Sequence, residues 1–277
     1  LAPKGVVIMQ YDKEAAAAVG LVKLDILGNR GLSAAAETVR LVRSIYHIHL
    51  DPETIPEQDA ATTRLLTAGD TIGVNQLESP AMRHLLCQVR PDGIPNLMKA
   101  LALIRPSAAS QGGKEVFIRR LRGLDEVPPI APSLDPILRE SHGVMLYEDD
   151  ALLIAAALAG LPAAEADGFR RAITKCRTED ERQALSARFL GACRAHGTEM
   201  SIAIEMWLQM SKFSSYSFCR AHAASYARLA WTNAYLKSHF LPEFWVGALN
   251  NNEGMYAKWV YVEEAKRTGI RFLPPCI

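Results

Sequence analysis

From Leu32 to Ile48 the apolar residues Leu32, Ala35, Ala36, Val39, Val42, Ile45 and Tyr46 return at the spacing of one face of an α-helix. Further helical stretches, separated by loops rich in Pro, Gly and Ser, run to the end of the chain. They predict helices over 57–68, 80–89, 94–104, 114–122, 135–142, 149–159, 163–174, 178–196, 201–213, 222–240, 241–251 and 255–268. Such segments bury their apolar faces against one another. Residues 6–28 differ. Short apolar runs alternate there with turns and read as strands plus a short helix over 13–19. Residues 269–275 read as a helix stop, a short strand and a stiff exit. The expected fold class is α+β, mostly α: a small β-containing start and a large helical region.

The 277 residues are 49% hydrophobic and 22% charged, enough to build a sizeable core in one or two domains. A formal net charge of +1 excludes recognition by bulk charge, so any nucleic-acid function must rest on local patches. No apolar run is long enough to span a bilayer, and residues 151–161 read as a buried helix. The five cysteines, Cys87, Cys176, Cys193, Cys219 and Cys276, have no paired spacing. They read as reduced thiols of a cytoplasmic protein rather than a zinc site or a disulfide frame. The chain opens on Leu1 and closes on Ile277 after two prolines, which reads as a piece of a longer polypeptide.

Gly20-Leu21-Val22-Lys23-Leu24-Asp25-Ile26-Leu27-Gly28 is β-prone, and on a strand Leu21, Lys23 and Asp25 share one face. A carboxylate and an ammonium on one strand face suit a metal or phosphate site. An edge strand with a solvated polar face explains them equally well.

Seven runs, in this order, resemble bacterial C-family DNA polymerases, the alpha subunits of DNA polymerase III. The run 20–28 is similar to the family's GLVKFDFLGL. Gly73-Val74-Asn75-Gln76-Leu77-Glu78-Ser79-Pro80-Ala81-Met82-Arg83 is similar to GVFQLESxGMR, and 100–106 to the ALxRPGP run. Residues 143–148 resemble YGIxxYQEQ, 166–172 resemble ADxLRRAMGKK, 218–226 resemble FNKSHAAAY, and 269–275 resemble GIxxLPPD. The resemblance implies part of a polymerase-β-like palm over 1–45 and helical fingers over 46–277. It implies DNA-directed DNA synthesis, with primer-template DNA and a dNTP as partners and Mg²⁺ as cofactor. It also implies a sliding clamp and other replication or repair proteins, reached through regions outside this chain.

In such chemistry two divalent metals stabilise the attacking and leaving oxygens, and hard carboxylate oxygens hold them. The resemblance makes Asp25 the third of three metal carboxylates, with the other two expected upstream of Leu1. The isolated chain is therefore expected to be inactive. Lys23 would neutralise primer or triphosphate oxygens, or serve only as the ion-pair partner of Asp25.

Cationic side chains offset charge building on phosphoryl oxygens. The resemblance directs Arg170, Arg171 and Lys175 toward the triphosphate, although by themselves they read as part of a solvated face of mixed charge. Arg220 and His222, at a loop entering a helix, and Arg105 before Pro106 are further candidates. Alone, His222 reads as a packed histidine and Arg105 as a surface or capping arginine. Gln76 and Glu78 are expected to hold architecture. Asp149-Asp150 reads as a helix cap rather than a metal pair. His47-Ile48-His49 lacks a third ligand. Trp207, Trp231, Trp245 and Trp259 are expected in the core.

The sequence departs from the family pattern at 28–30, 107–109, 149–150, 174–177 and 218–222. These departures fit an accessory or error-prone paralogue, or a copy with reduced activity. The rival reading is a catalytically inactive module derived from a polymerase that binds DNA or scaffolds a complex.

Overall fold

The computed structural model describes residues 5, 7–22, 24, 28–105, 112–129, 131–176, 178–213, 218–251 and 254–274. The chain forms two compact units, Leu1–Arg30 and Gly31–Ile277.

The first unit contains α1 (Lys13–Ala18). Asp12 starts it by accepting the Ala15 N–H at 2.7 Å, and the Leu21 N–H closes it on the Ala16 carbonyl at 3.0 Å. Among the described residues none lies in a β-strand, so the expected β part of the fold is not seen there. A strand needs a neighbour to accept its ladder hydrogen bonds. Leu21 instead donates to α1, and Val22 and Leu24 stand in solvent. The same holds for 270–274, expected to include a short strand. Lys23 and Asp25 lie outside the described residues.

The remainder is helical. In order come α2 (Arg30–Tyr46), α3 (Ala60–Thr67), α4 (Pro80–Val89), α5 (Ile94–Leu103), α6 (Gly113–Leu121), α7 (Asp135–Leu138), α8 (Glu148–Ala159), α9 (Ala163–Lys175), α10 (Glu179–Ala195), α11 (Met200–Phe213), α12 (Arg220–His239), α13 (Leu241–Asn251) and α14 (Lys258–Arg267). Local chemistry explains many of the starts. Asp59 accepts the Thr62 N–H at 2.7 Å, and Ser79, followed by Pro80, accepts that of Met82 at 3.2 Å. Thr178 and Glu181 cap one another's backbone amides reciprocally. The expected division after residue 45 falls in the last turn of α2, whereas the compact units divide between Arg30 and Gly31.

Two hydrophobic cores lie within the helical unit. The first surrounds α12, whose Ala223, Ala227, Ala230, Trp231 and Ala234 are fully buried beside residues of α3, α4, α5, α13 and α14. The alanines let α3 and α5 approach α12 closely. Trp231 fills the interior and donates its indole N–H to the Pro56 carbonyl at 2.7 Å. α2 meets α13 at Gly247, where an added Cβ would lie 2.5 Å from Thr38 Oγ1 and 2.6 Å from the Ala34 carbonyl. The second core belongs to α7–α11 and centres on Phe169, Phe189 and Trp207, with the phenyl rings stacked at 5.2 Å.

Trp207, Trp231 and Trp245 are buried as expected, but Trp259 is 68% exposed. It lies in the first turn of α14, whose buried residues are Tyr261, Glu264 and Ala265. Trp259 is two positions from Tyr261 and so points off that face.

Candidate functional site

The starts of α8 and α12 meet, although about seventy residues separate them in sequence. The Glu148 N–H donates to the Phe218 carbonyl at 3.1 Å, and the Arg220 N–H donates to Asp149 Oδ2 at 2.8 Å. Two of the sequence runs are thus stitched together, by one backbone–backbone hydrogen bond and one from a backbone amide to a carboxylate. Asp150 turns the other way. Its Oδ2 accepts the N–H groups of Leu146 and Tyr147 at 2.8 and 2.9 Å, capping α8. Burial pushes its carboxyl up to about 6, against the lowering effect of those two donors. Burial likewise raises the Tyr147 phenol, whose hydroxyl has no hydrogen-bond partner among the described residues.

The cationic candidates separate into groups. Arg220 lies over the Tyr147 ring at 5.6 Å, with Glu140 at 4.0 Å from its guanidinium. His222, exposed on the first turn of α12, packs edge-on against Phe218 and Tyr226 with centroids at 5.5 and 4.5 Å. Arg105 stacks over Phe218 at 4.4 Å. Arg105, Phe218, Arg220 and His222 therefore share one neighbourhood.

Arg170 projects from α9. It bonds to Asp167 at 2.8 Å and reaches Glu148 at 3.2 Å, with its side chain 19% exposed. Asp167 is held below the usual carboxylate range, first by the hydrogen bond from Arg170. Arg171 pairs with the other oxygen of Asp167 at 2.6 Å and is 65% exposed. Lys175, at the end of α9, is exposed and lines a separate hollow of about 430 Å³ with Cys176, Leu185 and Arg188. Asp25 and Lys23 lie outside the described residues, which hold no group of three His, Cys, Asp or Glu side chains able to hold a metal ion. His47 and His49 follow α2 rather than extend it.

A cavity of about 500 Å³ opens beside this neighbourhood. Asn75, Gln76, Met82, Arg105, Phe218 and Tyr226 are among its walls. Asn75, Gln76 and Glu78 reach it from the loop 70–78, which is tightly held. Buried Lys237 donates to the carbonyls of Asp70 and Ile72 at 2.7 and 2.9 Å, over the ring of Trp245 at 5.2 Å. Burial draws the ammonium down to about 8. Glu78, buried as architecture, accepts the Gly73 N–H at 2.9 Å and that of Met255 at 3.4 Å. Gln76 is exposed with φ 68, a left-handed conformation uncommon for a residue with a side chain. The sequence singled out Arg105, Arg220 and His222. It did not single out Asn75, Phe218 or Tyr226 as cavity walls, since only the fold brings these positions together.

Aromatic rings, amides and one exposed cation, Arg105, around this cavity suit a ligand with both planar and anionic parts. The pattern of the family described as bacterial DNA polymerase III alpha subunit finger domain matches residues 31–197. The chain is 37% identical to an error-prone DNA polymerase of Symbiobacterium thermophilum, over 99% of this chain and 25% of that protein. It is 34% identical to a DNA polymerase III subunit alpha of Staphylococcus epidermidis, over 98% of this chain and 25% of the relative. It is 33% identical to an error-prone DNA polymerase of Ruegeria pomeroyi, with the same coverage. The chain thus spans about a quarter of the length of these relatives.

Proposed function

Because this chain belongs to the finger-domain family of bacterial DNA polymerase III alpha subunits, we propose that it is the fingers, with a portion of the palm, of a DNA-directed DNA polymerase. On this reading the full-length protein extends a primer 3′-hydroxyl from a dNTP in the cytoplasm, in replication or repair. The carrying observation is the hydrogen-bonded meeting of the starts of α8 and α12, which sets Arg220 and His222 beside Phe218, the cavity wall over which Arg105 stacks. No helix among the described residues is long and apolar enough to cross a membrane.

The proposed division of labour follows charge and exposure. Arg171 and Lys175, both exposed, meet triphosphate oxygens, joined by Arg220 and His222. Arg170 acts beside them from its pairs with Asp167 and Glu148, and Arg105 braces Phe218. Asp25 is proposed as one carboxylate of a Mg²⁺ site shared with residues outside this chain, with Lys23 beside it. Bound Mg²⁺ would supply charge stabilisation to the transferring phosphoryl group. A sliding clamp and further replication or repair proteins are proposed as partners of other regions.

The test is primer extension by the full-length protein with Mg²⁺ and dNTPs, alongside Asp25→Asn. Extension by the wild type, and its loss in the variant with DNA binding kept, is expected. Salt-sensitive binding to primed DNA with no extension by the wild type would instead favour the inactive DNA-binding module. In either case log K should fall with log salt by about 0.9 per phosphate contact.

A further inference from the structure

Asn75 is a polar side chain with no internal task. Its Oδ1 is shut off from water and has no hydrogen-bond partner among the described residues, a state that costs stability. The residue nevertheless lines the cavity of about 500 Å³. With Oδ1 turned inward, the NH2 is the edge the amide can offer a ligand.

The fold holds this side chain firmly. Thr71 Oγ1 donates to the Leu77 carbonyl at 2.6 Å, closing the loop across Asn75, and Lys237 and Glu78 anchor its two arms. Gly73 and Gln76, on either side, both take positive φ. On α2, a Cβ at Gly31 would lie 2.8 Å from Asn75 Cβ and Cγ and 3.1 Å from Nδ2, so the absence of a side chain there lets the Asn75 amide, nitrogen included, lie along the helix backbone at the edge of the cavity. A rigid, unspent donor beside a cavity is the usual signature of a recognition contact.

The rest of the lining identifies the ligand class. Leu101, Ile104, Phe218 and Tyr226 add apolar and aromatic walls suited to a planar heterocycle, and Arg105 beside them suits an anionic group attached to it. In the minor groove every base pair presents an acceptor, purine N3 or pyrimidine O2. A fixed donor aimed there reads the shape of a correct pair whatever its sequence. We propose that Asn75 Nδ2 donates a hydrogen bond to such a minor-groove acceptor of a base pair seated against this cavity. This assignment rests on the polymerase reading above.

The experiment measures single-turnover incorporation by the full-length protein on primed DNA. A 3-deazapurine, in which N3 becomes C–H, replaces the natural purine in turn in the incoming nucleotide, the primer terminus and the template. A 7-deazapurine, altered only on the major-groove side, is the control. In the wild type the 3-deaza change at one of the three places should slow incorporation about tenfold, the upper range for one neutral hydrogen bond. The place affected names the base that is read. In Asn75→Leu the natural substrate should already be slowed by that factor, with no further loss on 3-deaza substitution. Asn75→Phe, which installs the residue of the family's GVFQLES run, should behave alike and serves if the leucine variant fails to fold. Equal 3-deaza losses in wild type and variants at every place would overturn the assignment, as would dependence on the 7-deaza position. If the wild type extends no primer, the polymerase reading fails and this assignment with it.

Discussion

Arg170 reaches from α9 to Glu148 at the first position of α8, 3.2 Å away, while holding Asp167 on its own helix at 2.8 Å. Arg171, the next residue, pairs with the far oxygen of the same aspartate and is mostly in solvent. Adjacent arginines of one basic run therefore carry different loads. Arg170→Ala leaves Glu148 without its cation at a partly buried site and should destabilise the protein by about 1–3 kcal/mol in urea unfolding. Arg171→Ala should change stability by less than about 0.5 kcal/mol. In the full-length protein it should instead raise KM for dNTP. An unchanged KM with lowered stability would return Arg171 to a purely structural role.

Asp150 gives a pH signature. Its carboxyl titrates near 6 when folded and at an ordinary 3.8 when unfolded, so the folded state holds the extra proton between these values. Stability should fall as pH rises through that window, by up to about 3 kcal/mol from this group. In Asp150→Asn the side-chain oxygen still caps α8 and the titration is gone. Wild type minus variant, measured by denaturant melts from pH 4 to 7, should decline with pH. A flat difference would mean that Asp150 is not buried as described.

Lys237 has the opposite slope. Its folded value near 8 lies below the unfolded 10.5, so the unfolded chain binds more protons between them. Stability relative to Lys237→Met should rise from pH 8 to 10. The variant leaves the carbonyls of Asp70 and Ile72 unpaired, and amide hydrogen exchange across 70–77 should quicken even where global stability holds.

Gly247→Ala tests the α2–α13 approach. The new methyl would overlap the Ala34 carbonyl and Thr38 Oγ1, forcing the helices apart. A loss of about 1–3 kcal/mol is expected despite the better helix propensity of alanine. A gain in stability would show that the helices separate without cost.

Helices were legible in the sequence because their signals are local. Asp59, Ser79-Pro80 and Thr178 with Glu181 mark starts, and the apolar rhythm carries each helix forward. Asp150 as a helix cap was legible for the same reason. Trp259 was misread because Trp259-Val260-Tyr261-Val262 is apolar throughout and does not say which face turns inward. Tyr261 and Ala265, four apart, carry that information. The Asp149–Arg220 hydrogen bond and the exposure of Asn75 to the cavity left no local trace, because they join segments through the folding of the whole unit.

The two cores have a consequence for cooperativity. Met145 faces the second core, whereas Leu146 and Tyr147 face the first, so the seam between them runs through the residues just ahead of α8 and past Phe218. A protein divided this way opens in blocks, and α8–α11 form the natural block to open without melting α12. A ligand that bridges Phe218 and the start of α8 would clamp the seam. Its occupancy would then register as slower amide exchange in α10, a helix that supplies no wall of the Asn75 cavity.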